Sequence, residues 1–159
     1  MNAWKICLLS MAFFVCIMPV SAFSGTGSGT ESDPFVITNV YQLQEMNENP
    51  LASYVLENDI DASITVTWND GAGFIPIREF NGRFDGKGHV IKNLYIRAGD
   101  CVGLFGRALE NAVIKNCGLE NVNVAGSRYV GALVGYSKAT ILNCYSTGFV
   151  SGQYHVVDS

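Results

Sequence analysis

The chain has 159 residues, of which 48% are hydrophobic and 15% are charged, and its formal net charge is −4. This length is sufficient for a single domain with its own core. The acidic balance excludes the basic surface of a nucleic-acid-binding protein, so we expect no nucleic-acid partner, and it provides no attraction to an anionic membrane.

Residues 1–22 have the pattern of a secretory signal peptide. Lys5 precedes an apolar run over residues 6–20, and Val20-Ser21-Ala22 supplies the small residues of a cleavage site. The run is shorter than the roughly 20 apolar residues that a membrane-spanning helix needs, and bulky Val15 before Cys16 does not match a lipoprotein signal. We therefore expect an exported bacterial protein, extracellular or at the cell surface, without membrane insertion after cleavage.

Cleavage would leave 159 − 22 = 137 residues, with 10 − 1 = 9 basic and 14 acidic side chains and a net charge of −5. Three of the five cysteines would remain, which are Cys101, Cys117 and Cys144. An odd number argues against a disulfide scaffold. Cys117 and Cys144 hold equivalent positions in the repeat described below, so they are either stacked free thiols, which we favour, or a disulfide pair.

The first ordered elements are expected after a flexible lead-in. Residues 23–34 are rich in Gly, Ser and Thr and show no apolar period, which is typical of a flexible segment. Val40 and Leu43 then stand at helical spacing after Asn39 or Thr38 as an N-cap, which predicts a short helix. We expect this helix to cap the front of the domain that follows, over residues 35–159.

The rest of the chain reads as short strands that repeat. The segments VIKNL (90–94), VIKNC (113–117) and TILNC (140–144) superpose with offsets of 116 − 93 = 23 and 143 − 116 = 27 residues, and Val102-Gly103 recurs as Val130-Gly131. A period of this length without helices favours a solenoid of strands. We therefore predict an all-β fold, a single-stranded parallel β-helix in which each repeat makes one turn.

Stacked turns place equivalent side chains above one another, about 4.8 Å apart. Asn93, Asn116 and Asn143 should then form a structural ladder, in which each amide donates to one neighbouring turn and accepts from the other. A repeated amide with this role explains the asparagines better than catalysis does.

The repeats resemble a known family. Gly103-Leu104-Phe105-Gly106 looks like the Gly-Leu-bulky-Gly signature of the GLUG motif, and residues 129–152 are similar to its full unit, with Ala132 where a second Gly is usual. The resemblance covers about residues 37–152. It implies a right-handed parallel β-helix in exported or surface proteins, often adhesin-like. The motif also occurs in secreted metallopeptidases whose zinc site lies in another domain.

No functional residues come with that motif. The chain contains only His89 and His155 and no His-Glu-x-x-His, so peptidase activity is not carried over, and we expect no metal and no cofactor.

A carboxylate cluster is the candidate for catalysis. Asp59 and Asp61 flank Ile60, and Asp85 could join them from the next turn, as a polysaccharide lyase or glycoside hydrolase would require. A solvated face with an Asp-Gly turn explains the same residues, and we favour that interpretation.

Outward aromatic side chains are the candidate for binding. Tyr129, Tyr136 and Tyr145 recur in the repeats, together with Tyr95 and Tyr154, and an exposed row could contact a glycan or a surface protein. Half-buried strands also favour tyrosine, which leaves a structural explanation open.

The end of the chain shows no capping element. An uncovered last turn exposes unpaired backbone, so we expect either a C-terminal truncation, with the turn continued by missing sequence, or another chain that covers it. We expect a non-catalytic structural or adhesin-like module. The alternatives are a polysaccharide-active enzyme and an accessory segment of a larger secreted hydrolase.

Overall fold

The computed structural model describes residues 23–153, so the predicted signal peptide, Tyr154 and His155 lie outside the described residues. Every ladder between two strands in this range is parallel. Within residues 23–153 the chain winds through about four turns and forms one short α-helix near the start of this range. The predicted all-β parallel β-helix is confirmed.

The helix α1 spans Val40–Glu45, and 3₁₀ turns span Met46–Glu48, Ser63–Thr67 and Asn69–Gly71. The strands are β1 (Phe35–Ile37), β2 (Ser53–Leu56), β3 (Ile60–Asp61), β4 (Arg83–Asp85), β5 (Val90–Lys92), β6 (Tyr95–Arg97), β7 (Asp100–Val102), β8 (Phe105–Ala108), β9 (Val113–Lys115), β10 (Gly118–Gly126), β11 (Arg128–Val130), β12 (Val134–Ser137), β13 (Thr140–Leu142) and β14 (Tyr145–Gly152).

These strands stack into four parallel sheets that enclose the core. The first sheet has the order β1-β2-β4-β9-β13, and the second has the order β3-β5-β10-β14, with β6 also paired to β10. Two smaller sheets pair β7 with β11 and β8 with β12. Sequence neighbours along the chain therefore lie in different sheets, and each sheet is built from successive turns.

The core is a stack of apolar side chains from successive turns. Phe80 and Phe84 both lie against Phe105, with ring centroids 4.8 Å and 5.4 Å apart. Ile91 and Ile114 are fully buried at the centres of β5 and β9. Each such side chain contributes about 1.5–3 kcal/mol through burial, so the stack of turns is the main source of stability.

The predicted capping helix is confirmed. The Asn39 side chain accepts hydrogen bonds from the backbone N–H groups of Tyr41 and Gln42, both at 3.0 Å, and begins the helix. Val40 and Leu43 are buried. The helix therefore covers the first turn with its apolar side.

Contacts hold residues 23–34 along the first two strands. The backbone N–H of Val36 donates to the carbonyl of Thr26, and that of Ser53 donates to the carbonyl of Gly29. The rings of Phe23 and Phe35 lie 4.6 Å apart. The flexibility of this lead-in stays a prediction.

The observed strand pairing confirms the predicted repeat alignment at one place and contradicts it at another. Thr140–Leu142 pairs with Val113–Lys115, as the repeat predicts. Val90–Lys92 instead pairs with residues 118–120 and lies in the second sheet. The physical reason is that each turn has two similar corners, and the segments 90–93 and 113–116 occupy different ones.

Candidate functional site

Two columns of polar side chains run along the coil, one from each of these corners. In the Asp61 column, Asn93 Nδ2 donates to Asp61 Oδ1 at 3.0 Å, and Asn121 Nδ2 donates to Asn93 Oδ1 at 2.8 Å. The expected single ladder of Asn93, Asn116 and Asn143 is thereby corrected, because Asn93 bonds in this column.

The Asp85 column contains the other two predicted asparagines. Asn116 Nδ2 donates to Asp85 Oδ1 at 3.0 Å, and Asn143 Nδ2 donates to Asn116 Oδ1 at 3.2 Å. Asn116 and Asn143 are therefore brought together as expected.

The corners select asparagine for a conformational reason as well. Asn93, Asn116, Asn121 and Asn143 all have φ between 52° and 61°, in the left-handed region. Asparagine tolerates this region better than other residues with a side chain, apart from aspartate. One residue type thus forms the corner and links the turns.

Each of the three candidate carboxylates accepts hydrogen bonds from a backbone N–H group and from a side chain. Asp61 Oδ1 accepts from the Ser63 N–H at 3.0 Å in addition to Asn93. Asp59 accepts from the Val90 N–H at 3.0 Å and pairs with Lys92 Nζ at 3.0 Å. The bonds to Asn93, Val90 and Lys92 join residues about thirty positions apart, so they connect successive turns.

Asp85 follows the same principle in a different sheet. Its Oδ1 accepts from the Lys87 N–H at 2.9 Å as well as from Asn116, and its Oδ2 lies 3.2 Å from Lys115 Nζ. Asp61 ends β3 in the second sheet, whereas Asp85 ends β4 in the first. Within residues 23–153, no three His, Cys, Asp or Glu side chains lie together as a metal site would require.

These contacts lower the pKa of all three carboxyls. The Val90 N–H and then Lys92 lower the pKa of Asp59, and the Asn93 amide and then the Ser63 N–H lower the pKa of Asp61. Burial alone would raise the pKa of Asp85, but its hydrogen bonds and Lys115 outweigh that effect. A glycosidase needs one carboxyl with a raised pKa as its general acid. The three aspartates are suited to accept hydrogen bonds instead.

Two of the three candidate tyrosines, exposed Tyr129 and half-buried Tyr136, lie together on a surface that we call the tyrosine face. The rings of Tyr129 and Tyr136 meet edge to face with centroids 5.7 Å apart. The Arg107 guanidinium lies 5.5 Å from the centre of the Tyr136 ring and pairs with Glu79 at 3.0 Å. Tyr129 has φ of 53° and is 58% exposed, so its ring is available to a partner.

Tyr145 lies elsewhere, on β14. Its hydroxyl donates to Glu120 Oε1 at 2.7 Å, and this bond raises the pKa of Tyr145. Its ring lies over Gly118, where a Cβ atom would approach Tyr145 Cζ to 2.5 Å. This tyrosine therefore packs on its neighbouring turn and does not extend the tyrosine face.

Among residues 23–153, the cysteines are free thiols, namely Cys101, Cys117 and Cys144. Cys117 is 1% exposed, and burial raises its pKa to about 12, with a smaller contribution from Cys144. A neutral buried thiol is a poor nucleophile. Cys117 therefore acts as a small apolar side chain of the core.

Sequence reasoning missed one feature, which we call the Trp68 groove. It lies between α1 and the loop of residues 62–73 and brings Tyr41 to within 5.3 Å of Trp68, measured between ring centroids. The turn sequence Asn69-Asp70-Gly71 after Trp68 indicates an insertion, but its proximity to the helix depends on the fold.

The chain is similar to segments of longer proteins. It is 42% identical over 145 residues to halomucin from Haloquadratum walsbyi, a match that covers 82% of this chain and 2% of halomucin. It is 29% identical over 156 residues to a protein described as a Gly-rich membrane protein from Evansella cellulosilytica, covering 84% of this chain and 18% of that protein. No protein-family model matches the chain.

A solved structure shares the fold. A protein described as an immunoglobulin A1 protease from Bacteroides ovatus superposes with a TM-score of 0.62 and 30% identity, covering 77% of this chain and 40% of that one. This likeness agrees with a β-helix family, and the GLUG assignment stays a prediction. Within residues 23–153, no helix has the length and apolarity that crossing a bilayer requires.

Proposed function

We propose that the chain is a non-catalytic β-helical module of an exported, surface-type protein, with a structural and adhesin-like role. Its likeness to short segments of halomucin and of a Gly-rich membrane protein supports a module within a larger surface chain. The predicted signal peptide supports the same location.

The observation that carries the proposal is that the three candidate carboxylates form hydrogen bonds between successive turns. Asp61 and Asp85 each stand at the head of a polar column, and Asp59 joins Val90 and Lys92 of the next turn. A polysaccharide-cleaving site requires two carboxyls close to the same bond, one of them with a raised pKa. The structural role therefore explains these side chains better than the enzymatic alternative does.

The tyrosine face supports the binding part of the proposal. Its two rings present apolar surface, and Arg107 beside them adds a hydrogen-bond donor. Aromatic and Arg side chains are enriched at the centres of protein interfaces. A surface protein or a glycan is the partner that we propose for this face.

Two measurements test the proposal with the purified protein. Binding is measured on arrays of glycans and of surface proteins, and reducing-sugar release is measured on a panel of polysaccharides. We expect binding without turnover, and loss of the bound signal in Tyr129→Ala/Tyr136→Ala if the partner uses the tyrosine face. Turnover that disappears in an Asp59/Asp61/Asp85 triple alanine variant would overturn the proposal.

A further inference from the structure

The Trp68 groove is a concave surface at the capped end of the coil. It has a volume of about 460 Å³ and is lined by Tyr41, Gln44, Glu45, Glu48, Trp68, Asn69 and Ile75. Small-molecule sites have volumes of this order and combine apolar rings with a few polar groups. The tyrosine face belongs to the other end of the chain, on β11 and β12, so the two surfaces are distinct.

The aromatic part of the groove is held open by the core. Trp68 stacks on buried Phe74, with centroids 6.4 Å apart and planes inclined by 21°. Tyr41 lies beside Trp68 at an interplanar angle of 35° and is 60% exposed. Phe74 packs against half-buried Trp68 from the core, and Trp68 and exposed Tyr41 together form the aromatic platform that lines the groove.

The loop that carries Trp68 has an unusual backbone. Asn69, Asp70, Gly71 and Gly73 all have positive φ, between 51° and 88°. The Asn69 side chain closes the loop by donating to the Gly73 carbonyl at 2.7 Å. These turns and the Asn69 hydrogen bond hold the loop that carries Trp68 in one conformation.

The wall of the groove is also rigid. Gln44 Nε2 donates to the Ile75 carbonyl at 3.0 Å, while the Ile75 N–H donates back to Gln44 Oε1 at 2.9 Å. This pair locks the helix to the loop, so the groove is formed before a ligand arrives. Preformed sites lose less entropy on binding.

The charged groups of the groove are carboxylates, which accept hydrogen bonds. Glu45 Oε2 accepts from the Ser24 N–H at 2.8 Å, which leaves Oε1 available. Glu48 is exposed and has no hydrogen-bond partner among residues 23–153. Among the residues that the structure describes, no Lys or Arg lines the groove. An anionic ligand would be repelled here, whereas a neutral ligand rich in hydroxyl groups would find acceptors beside an aromatic platform.

We propose that the Trp68 groove binds a neutral oligosaccharide. The C–H face of a sugar ring would pack on Trp68 and Tyr41, where its apolar area is buried, and its hydroxyl groups would donate to Glu48 and to the free oxygen of Glu45. This inference rests on the proposed binding role and assigns it a site and a ligand class.

The groove has an intrinsic reporter. The chain contains two tryptophans, Trp4 and Trp68, and Trp4 belongs to the predicted signal peptide. Titration of the purified protein with neutral oligosaccharides should therefore change tryptophan emission through Trp68. A Trp68→Phe variant gives the background from any remaining Trp4.

A glycan array compares ligand classes and variants. We expect neutral glycans to bind and sulfated or uronic-acid glycans to fail, with Trp68→Ala weakening binding about tenfold or more. Glu48→Gln should weaken binding less, and Phe149→Ala, which removes an exposed ring on β14 away from the groove, should leave it unchanged. Trp68→Phe keeps a ring in place and should retain part of the affinity, so it tests the platform even if Trp68→Ala unfolds.

The outcomes separate this inference from the proposed function. Binding that survives Trp68→Ala but is lost in Tyr129→Ala overturns the groove and supports the surface-binding module. The groove proposal is also overturned if the protein binds anionic glycans or cationic peptides instead, or if it binds no glycan. Failure of every glycan and surface protein to bind overturns both.

Discussion

Asp85 is the first acceptor in its column of hydrogen bonds, and its ionised carboxylate accepts the Asn116 amide more strongly than the protonated form would. Its pKa is held below the ordinary value by Asn116, the Lys87 N–H and Lys115, which outweigh the opposing effect of burial. In the unfolded chain the pKa returns to about 3.9. The unfolded state therefore takes up a proton first as the pH falls.

The sign of the pH dependence follows from this difference. The stability that Asp85 contributes is full above the unfolded pKa and is lost as the pH falls through the folded pKa. We expect the free energy of unfolding to decrease from about pH 5 downward, measured by urea denaturation at each pH. An Asp85→Asn variant should show a shallower decrease, whereas exposed Asp33→Asn should follow the wild type. Identical curves for all three proteins would contradict the role of Asp85.

Asn116 combines a hydrogen-bonding role with a conformational one, and two substitutions separate them. Asn116→Ala removes both side-chain hydrogen bonds and places alanine at φ of 54°, a left-handed conformation that alanine rarely adopts. We expect a loss of about 2–3 kcal/mol in the free energy of unfolding. Asn116→Gly removes the bonds but fits the left-handed conformation, so its loss should be smaller.

The control for Asn116 is exposed Asn111, whose alanine variant should change the free energy of unfolding by less than about 0.5 kcal/mol. Chemical denaturation followed by circular dichroism measures all three variants. Equal losses for Asn116→Ala and Asn116→Gly would show that the left-handed backbone at this corner is not strained by alanine.

Residue patterns predicted the corners of the coil but not which corners stack. The offset of 28 residues between Val102 and Val130 is the true spacing of the turns there, since these two residues are paired. Applied to Asn93, the same offset leads to Asn121, its partner in the Asp61 column. The segments at 90–93 and 113–116 look alike because both end in a left-handed asparagine, and local sequence cannot distinguish two corners with the same requirement.

At the scale of elements, α1 is a six-residue helix whose stability depends on its N-cap and on packing. Helices this short do not persist alone in water. Asn39→Ala removes the acceptor for the Tyr41 and Gln42 N–H groups and should lower the free energy of unfolding by about 1 kcal/mol. Asn39→Asp keeps an acceptor and should cost little, as thermal and chemical denaturation can show. A loss equal to that of Asn39→Ala would contradict the capping role.

The loop of residues 62–73 shows why elements outside the repeat escape sequence reasoning. Apolar periodicity and the Val40–Leu43 spacing predicted α1, because these signals are local. The contact between Tyr41 and Trp68 joins a helix to an insertion 27 residues later, and it exists only because the intervening turn returns the chain to the same place. Nothing in either segment alone indicates the partner.

At the scale of the whole molecule, the two ends of the described coil differ. The first turn is covered by α1, whereas within residues 23–153 β13 and β14 each have a parallel neighbour on one side only. Ile141 is 40% exposed and Val150 is 44% exposed, although the residues paired with them one turn earlier, Ile114 and Val124, are fully buried. The last turn thus presents apolar side chains beside unpaired backbone, a combination that favours association.

We expect the purified chain to self-associate through this last turn. The covered first turn should limit the assembly to two copies, because pairing two equivalent last turns leaves no open end for a third chain. Light scattering after size exclusion, over a range of concentrations, should show a shift from one to two chains. Ile141→Lys/Val150→Lys should shift the equilibrium to the single chain with little change in unfolding, since charges on an edge oppose pairing. Exposed Leu51→Lys, away from this edge, is the matched control and should leave association unchanged. A single-chain mass at every concentration, or pairing unaffected by the two lysines, would show that the last turn does not act as a docking edge.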